Sequence, residues 1–201
     1  MLIYLVIINA IGFILFAINT WLYNNTAKDQ IDALLTLTAL AGGSIGIVIA
    51  IFVIDRKAKK GNMMSRVFVF SILVIQIAAI LFVKGYHKEQ LTLDIWGYLT
   101  AHKPFLIYLG IINIIAFIVY GIDKKSAEGK IHSPRIRIVT LLCLAFIGGS
   151  IGAITAMYTF NHKTKKDYFS VGVPLIIIMQ IIVLFYLMNA KFEILSRLSI
   201  S

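Results

Sequence analysis

A single cysteine, nine acidic residues and a charged fraction of only 14% define this 201-residue chain by shortage. Cys143 alone supports neither a disulfide framework nor a thiolate metal cluster. His87, His102, His132 and His162 fall in separate loops without ligand spacing, so neither a metal nor another cofactor is expected. No metal motif, nucleophile elbow or phosphate-binding loop occurs, which leaves enzymatic chemistry without an obvious carrier. Soluble proteins carry about a quarter charged residues, and this shortfall removes the chain from their class.

What is present is apolar sequence. The hydrophobic fraction is 60% and the mean hydropathy +0.91. Uncharged stretches cover 1–27, 33–54, 67–83, 104–122, 138–161 and 168–190, each close to the ~20 residues that carry a helix across roughly 30 Å of hydrocarbon. They lack the alternation of barrel strands, and in lipid every backbone N–H and C=O needs a partner, so the expectation is an all-α membrane protein with six transmembrane helices. The first stretch has no basic preface and no small-residue cleavage site before Asn24, and it is read as a retained helix.

The net charge of +10 does not point to nucleic acid, because the aromatic residues sit within the apolar runs and not among the basic ones. With six crossings, twelve Lys and Arg fall on the face bearing the termini and seven on the other. The positive-inside rule then predicts a multi-pass plasma-membrane protein with both termini cytoplasmic.

The chain repeats itself. Asn9 falls on Asn113, Gly42-Gly43-Ser44-Ile45-Gly46 on Gly148-Gly149-Ser150-Ile151-Gly152, Lys57-Ala58-Lys59-Lys60 on Lys163-Thr164-Lys165-Lys166, and Gln76 on Gln180. Each copy holds three runs, and an odd number of crossings predicts two inverted repeats. The expected organisation is a degenerate three-helix repeat at 1–83, an interfacial linker at 84–103 and a second three-helix repeat at 104–201. In the linker, Leu91, Ile95 and Leu99 recur at helical spacing beside Trp96 and Tyr98, which suits a segment lying among headgroups.

Asn9, Asn113, Gln76 and Gln180 are lone amides in apolar runs, suited either to hydrogen bonding between helices or to a polar track. Gly42 with Gly46, and Gly148 with Gly152, form small-residue ridges in runs that lack proline. They predict close packing of helices two and five on each other, with a broken helix at the glycines as the functional alternative. Asp123 and Arg135 flank one short loop on the same expected face, where a pairing across the hairpin is geometrically easy. His162, Lys163, Lys165 and Lys166 cluster after helix five, on the face where the charge rule disfavours them. Six crossings separate His162 from Asp123 by more than ~25 Å, which argues against an acid–base pair.

Gly121-Ile122-Asp123-Lys124-Lys125-Ser126-Ala127, Arg135 thirteen residues before Gly148, the Gly-Gly-Ser, the stretch from His162 to Phe169 with the pattern HKTxKxxF, and Gln180 together resemble the small bacterial membrane proteins of domain of unknown function 1294. The resemblance covers 108–188 and implies single three-helix units of about half this length, with no activity to carry over. A Glu that the family tends to place three residues after the Arg is Ile138 here, while Asp32 supplies an acid in the first copy. That first copy has Asn19-Thr20-Trp21 in place of Asp-Lys-Lys, Arg56 in place of His162 and Met63 in place of Phe169.

Three functions follow as expectations. The first is a small transporter, channel or lipid-binding protein whose partners are membrane lipids and an anionic small molecule or headgroup, with Asp123, Arg135, His162, Lys163, Lys165 and Lys166 as binding candidates. The second is a membrane assembly protein, and the third a lipid-modifying enzyme.

Overall fold

The computed structural model describes residues 2–25, 31–55, 62–84, 90–129, 132 and 134–190. The described elements are helical. They are α1 (Leu2–Asn25), α2 (Asp32–Thr38), α3 (Ser44–Ile54), α4 (Met63–Val83), α5 (Ile95–Ala101), α6 (Lys103–Ala127), α7 (Ile138–Leu144), α8 (Ser150–Thr159), α9 (Asp167–Ser170) and α10 (Gly172–Asn189). Six segments are long and apolar enough to cross a bilayer, two of them being Asp32–Ile54 and Ile138–Thr159. The basic run of the first copy, Arg56 to Lys60, and part of the linker lie outside the described residues.

Those two segments do not run straight. A continuous helix of 23 residues would be about 35 Å long. Yet Ser65 donates to Asp32 at one end of the first segment at 2.9 Å, while the adjacent Arg66 pairs with Asp55 at the other end, also at 2.9 Å. In the second copy both ends meet one carboxylate: Ile136 N lies 3.0 Å from Asp123 Oδ1, and His162 Nε2 lies 2.8 Å from Asp123 Oδ2. Each segment is therefore a helical hairpin, α2 with α3 and α7 with α8, whose arms enter and leave at the same end. Apolar length cannot distinguish a straight helix from a hairpin of equal length, and the two continuous helices expected over these segments are corrected here.

Glycine makes the reversal. Gly42 has φ +106° and Gly148 φ +125°, conformations that cost an L side chain roughly 1–2 kcal/mol. Each sits at a kink between two helical arms, within Ala39–Gly43 or Ala145–Gly149. A turn of this kind frees backbone groups among apolar side chains, and the lone amides take them. Asn113 donates to Gly148 O at 2.9 Å and accepts from Gly152 N at 2.7 Å. Gln180 donates to the carbonyls of Ala145 at 2.7 Å and Phe146 at 3.0 Å, while Ser150 bonds its carbonyl. Tyr108 donates to Ile147 O. The first copy repeats the set: Asn9 on Gly42 O and Gly46 N, Gln76 on Ala39 O and Ser44, and Tyr4 on Ala41 O.

The glycine ridges serve these same contacts. A methyl on Gly46 would overlap the Asn9 backbone, and one on Gly152 the Asn113 backbone. The ridges thus pack each hairpin on α1 or α6 of its own half, correcting the expected meeting of helices two and five.

The halves join along α4 and α10. Gly172 lies against Val67, and the rings of Phe82 and Phe185 are 6.1 Å apart, so the two helices run in the same direction. Since α4 and α10 both begin beside their hairpin mouths, both mouths face the same end of the bundle. Met63 and Val67 of α4 join Tyr120, Leu141, Phe169 and Val173 in one buried cluster, while Phe16, Leu35, Ile47 and Ile51 form another inside the first half. At the far end, Asn189 hydrogen-bonds the backbone N of Thr92 at 2.7 Å, tying the linker to α10. The described part of that linker contains α5, whose start Asp94 caps through Gly97 N at 2.8 Å.

Replacing Asn113 by Leu removes a donor and an acceptor from the tip and should destabilise the bundle by about 2 kcal/mol, given ~0.6 kcal/mol on average for each intramembrane hydrogen bond and an added cost for a stranded carbonyl. Reversible unfolding in mixed micelles measures this. Gly148→Ala should cost about 1–2 kcal/mol through backbone strain, whereas Gly110→Ala, where an added methyl meets nothing within 4 Å, should cost almost nothing.

Candidate functional site

The second hairpin mouth carries the densest polar chemistry. Helix α8 ends at Thr159, and the chain then turns through two non-glycine residues in the left-handed region, Asn161 (φ 45°) and Lys163 (φ 63°). Such backbone persists where surrounding contacts over-determine it. Here the contacts converge on Asp123, in the last turns of α6 and 0% exposed. Its Oδ1 accepts from Ile136 N, and its Oδ2 lies 2.8 Å from His162 Nε2 and 2.7 Å from Lys163 Nζ. One carboxylate thereby clamps the entrance of α7 and the exit of α8 to α6.

Lys163 is gripped twice. Its ammonium also lies 4.7 Å from the centroid of the Phe169 ring, a cation–π contact strengthened by desolvation. Burial holds the Lys163 ammonium below the ordinary lysine range; Asp123 opposes that shift and the charge of Arg135 adds to it. Phe169 is fully buried and meets Tyr120 edge-on at 5.9 Å, and the Tyr120 hydroxyl donates to Leu141 O at 3.1 Å. Phe160 covers Gly121, where a side chain would crowd its ring. The two motifs around Asp123 and His162 are thus two halves of one clasp.

Three expectations change. Asp123 pairs with His162 and Lys163 and not with Arg135, which is exposed. His162 and Asp123, expected on opposite faces, are in contact because the intervening segment folds back. Lys165 and Lys166 do not join the clasp; both are exposed.

The first mouth is built differently. Asn19, fully buried, takes the part of Asp123 by accepting from Ile31 N at 2.9 Å, and it donates to Asp32 at 3.2 Å. Asp55 pairs with Arg66 and accepts from Asn62 at 3.3 Å, and Asn62 also reaches Thr20 at 3.2 Å. Asp55, Asn62, Ser65 and the tyrosine pair Tyr4 and Tyr108 were missed by sequence reasoning. The tyrosines were findable, since they share the spacing of Asn9 and Asn113.

Among the described residues no group of three or more His, Cys, Asp or Glu could hold a metal ion. The His162–Asp123 pair has general-base geometry, but both Asp123 oxygens are committed to fastening the hairpin.

Comparison with known proteins places this geometry. A family model described as protein of unknown function (DUF1294) matches residues 113–169. The uncharacterized protein YsdA of Bacillus subtilis (strain 168) is 40% identical over 77 residues, which are 38% of this chain and 84% of YsdA. The chain belongs to the DUF1294 family. The family match begins at Asn113 and ends at Phe169, and so spans the tip amide, the glycine turn, Asp123 and the whole clasp. No solved structure matches the chain.

Asp123→Asn should keep the Ile136 bond, as Asn19 does in the first half, but strand a buried ammonium. The expected loss is about 3 kcal/mol, the scale for breaking a buried ion pair. Adding Lys163→Met should recover most of it, because the unpaired charge leaves with the side chain. Thermal unfolding of the two variants in detergent separates this from a loss of packing, which the second substitution would not repair.

Proposed function

We propose that the chain is a fused pair of same-facing units in a bacterial plasma membrane, and that its mouth-bearing face binds anionic lipid. The observation behind this is the parallel contact of α4 with α10, which turns both hairpin mouths to one end. Each unit then crosses the bilayer twice, by α1 and α4 or by α6 and α10. An even number of crossings leaves a tandem copy in the same orientation, in place of the inversion expected from three. The proposed units are 1–83 and 104–201, with the linker 84–103 between them.

Charge supports this topology. Fourteen of the nineteen Lys and Arg fall in the sequence stretches 26–66 and 124–166, which hold the two hairpins and their flanks, a sharper asymmetry than six crossings give. The positive-inside rule then puts the mouths in the cytoplasm and the linker and both termini outside, reversing the orientation first expected. The cluster of Lys163, Lys165 and Lys166 no longer breaks the rule.

Arg135, Lys165 and Lys166 are exposed on that face, and each cation near an anionic surface contributes ~1 kcal/mol. The amides at the hairpin tips are occupied by backbone, which removes the support for a polar track through the bundle and favours lipid binding over solute permeation.

Two measurements test the proposal. In a Cys143→Ser background, Ala58→Cys and Thr164→Cys should both resist a membrane-impermeant maleimide in intact cells and react after permeabilisation, with Thr92→Cys reacting from outside. Labelling of 164 but not 58 from outside would restore the inverted arrangement. Arg135→Ala combined with Lys165→Ala and Lys166→Ala should weaken retention of phosphatidylglycerol at this face by about tenfold or more, and unchanged retention would remove the lipid-binding part.

A further inference from the structure

Beyond the hairpin tip, between α4, α6 and α10, the second half encloses a cavity of about 430 Å³, open on one side. It lies within the range of ligand-binding pockets, and its walls are almost wholly apolar, including Phe105, Ile151, Leu184 and Leu187. The polar side chains that reach it are Tyr108, Asn113, Ser150 and Gln180. All four are spent: Tyr108 on Ile147 O, Asn113 on Leu109 O, Gly148 O and Gly152 N, and Gln180 on two tip carbonyls and Ser150. The cavity therefore offers a solute no vacant amide, only hydrocarbon, and at this depth its open side faces acyl chains and not water.

Its far end has charge. Lys103, two residues before Phe105, begins α6, and Lys84 follows α4 just beyond Phe82, whose ring neighbours Phe185 between the lining residues Leu184 and Leu187. Both lysines are exposed. An apolar slot with two cations at its interfacial rim matches one molecule available there: a phospholipid with a chain in the slot and its phosphate at the lysines. We infer that this cavity is a specific site for one acyl chain of an anionic glycerophospholipid of the outer leaflet. The inference rests on the membrane topology proposed above but not on lipid binding at the basic mouth face.

Native mass spectrometry of the detergent-purified full chain, titrated with phosphatidylglycerol or phosphatidylcholine, tests it. Ile151→Trp and Leu184→Trp fill the slot and should each weaken the tightest-bound lipid about tenfold for both headgroups. Lys84→Ala with Lys103→Ala should weaken phosphatidylglycerol alone, and the Arg135, Lys165 and Lys166 alanine triple variant should leave this lipid in place. A phosphatidylglycerol carrying a diazirine in its chain should crosslink the unmodified protein within 146–151 and 177–187, a readout independent of whether the tryptophan variants fold. Crosslinks confined to other surfaces, full retention in both folded tryptophan variants, or a dimer that the tryptophans disrupt would each overturn the site.

Discussion

Reversing a helix inside hydrocarbon strands backbone groups that water cannot reach, and every other feature of this bundle follows from how that is solved. Each carbonyl or amide left unpaired in such surroundings costs about 1–3 kcal/mol. The chain answers with side chains in fixed places: an Asn from the preceding helix, a Gln from the following one, a Tyr one turn or so earlier, and a Ser inside the turn. Fifteen residues of α6 separate the clasp at Asp123 from the tip contact at Tyr108, so the hairpin descends about 22 Å. That is short of the roughly 30 Å of a bilayer's hydrocarbon core.

A hairpin held only at its tip would splay at its mouth. In the second half a single buried carboxylate fastens both arms, with Lys163 balancing its charge and Phe169 holding Lys163 in place. In the first half an uncharged Asn19 occupies the same station, and the acids move to the hairpin itself, Asp32 at its entrance and Asp55 at its exit. Two solutions to one mechanical problem in one chain are what a fused pair with relaxed constraint on either copy would hold. The relative from Bacillus, of which 84% is covered by 77 aligned residues, is too short to hold both.

Much of this was visible in the sequence. The six apolar lengths, the family and the paired amides and glycines are legible because composition and spacing record them directly. Whether a given run crosses is not, since twenty apolar residues read alike as a span or as two arms. The clue lay elsewhere: Lys163, Lys165 and Lys166 violated the charge rule under six crossings, and a hairpin removes the violation. Parity makes that distinction consequential, because one run per copy read as a hairpin and not as a crossing changes an odd count to an even one and with it the relative orientation of the two halves. The clasp stayed hidden for the same cause, as His162 could reach Asp123 only once the run between them turned back.

The return of both hairpin arms to one face is the central claim, and a distance measured in a bilayer tests it most directly. Spin labels at Arg137 and Lys165, exposed positions flanking the second hairpin, should lie closer than half the about 33 Å that the 22 residues from Ile138 to Thr159 would span as one helix. A distance at or beyond that full length, in protein reconstituted into lipid, would contradict the account.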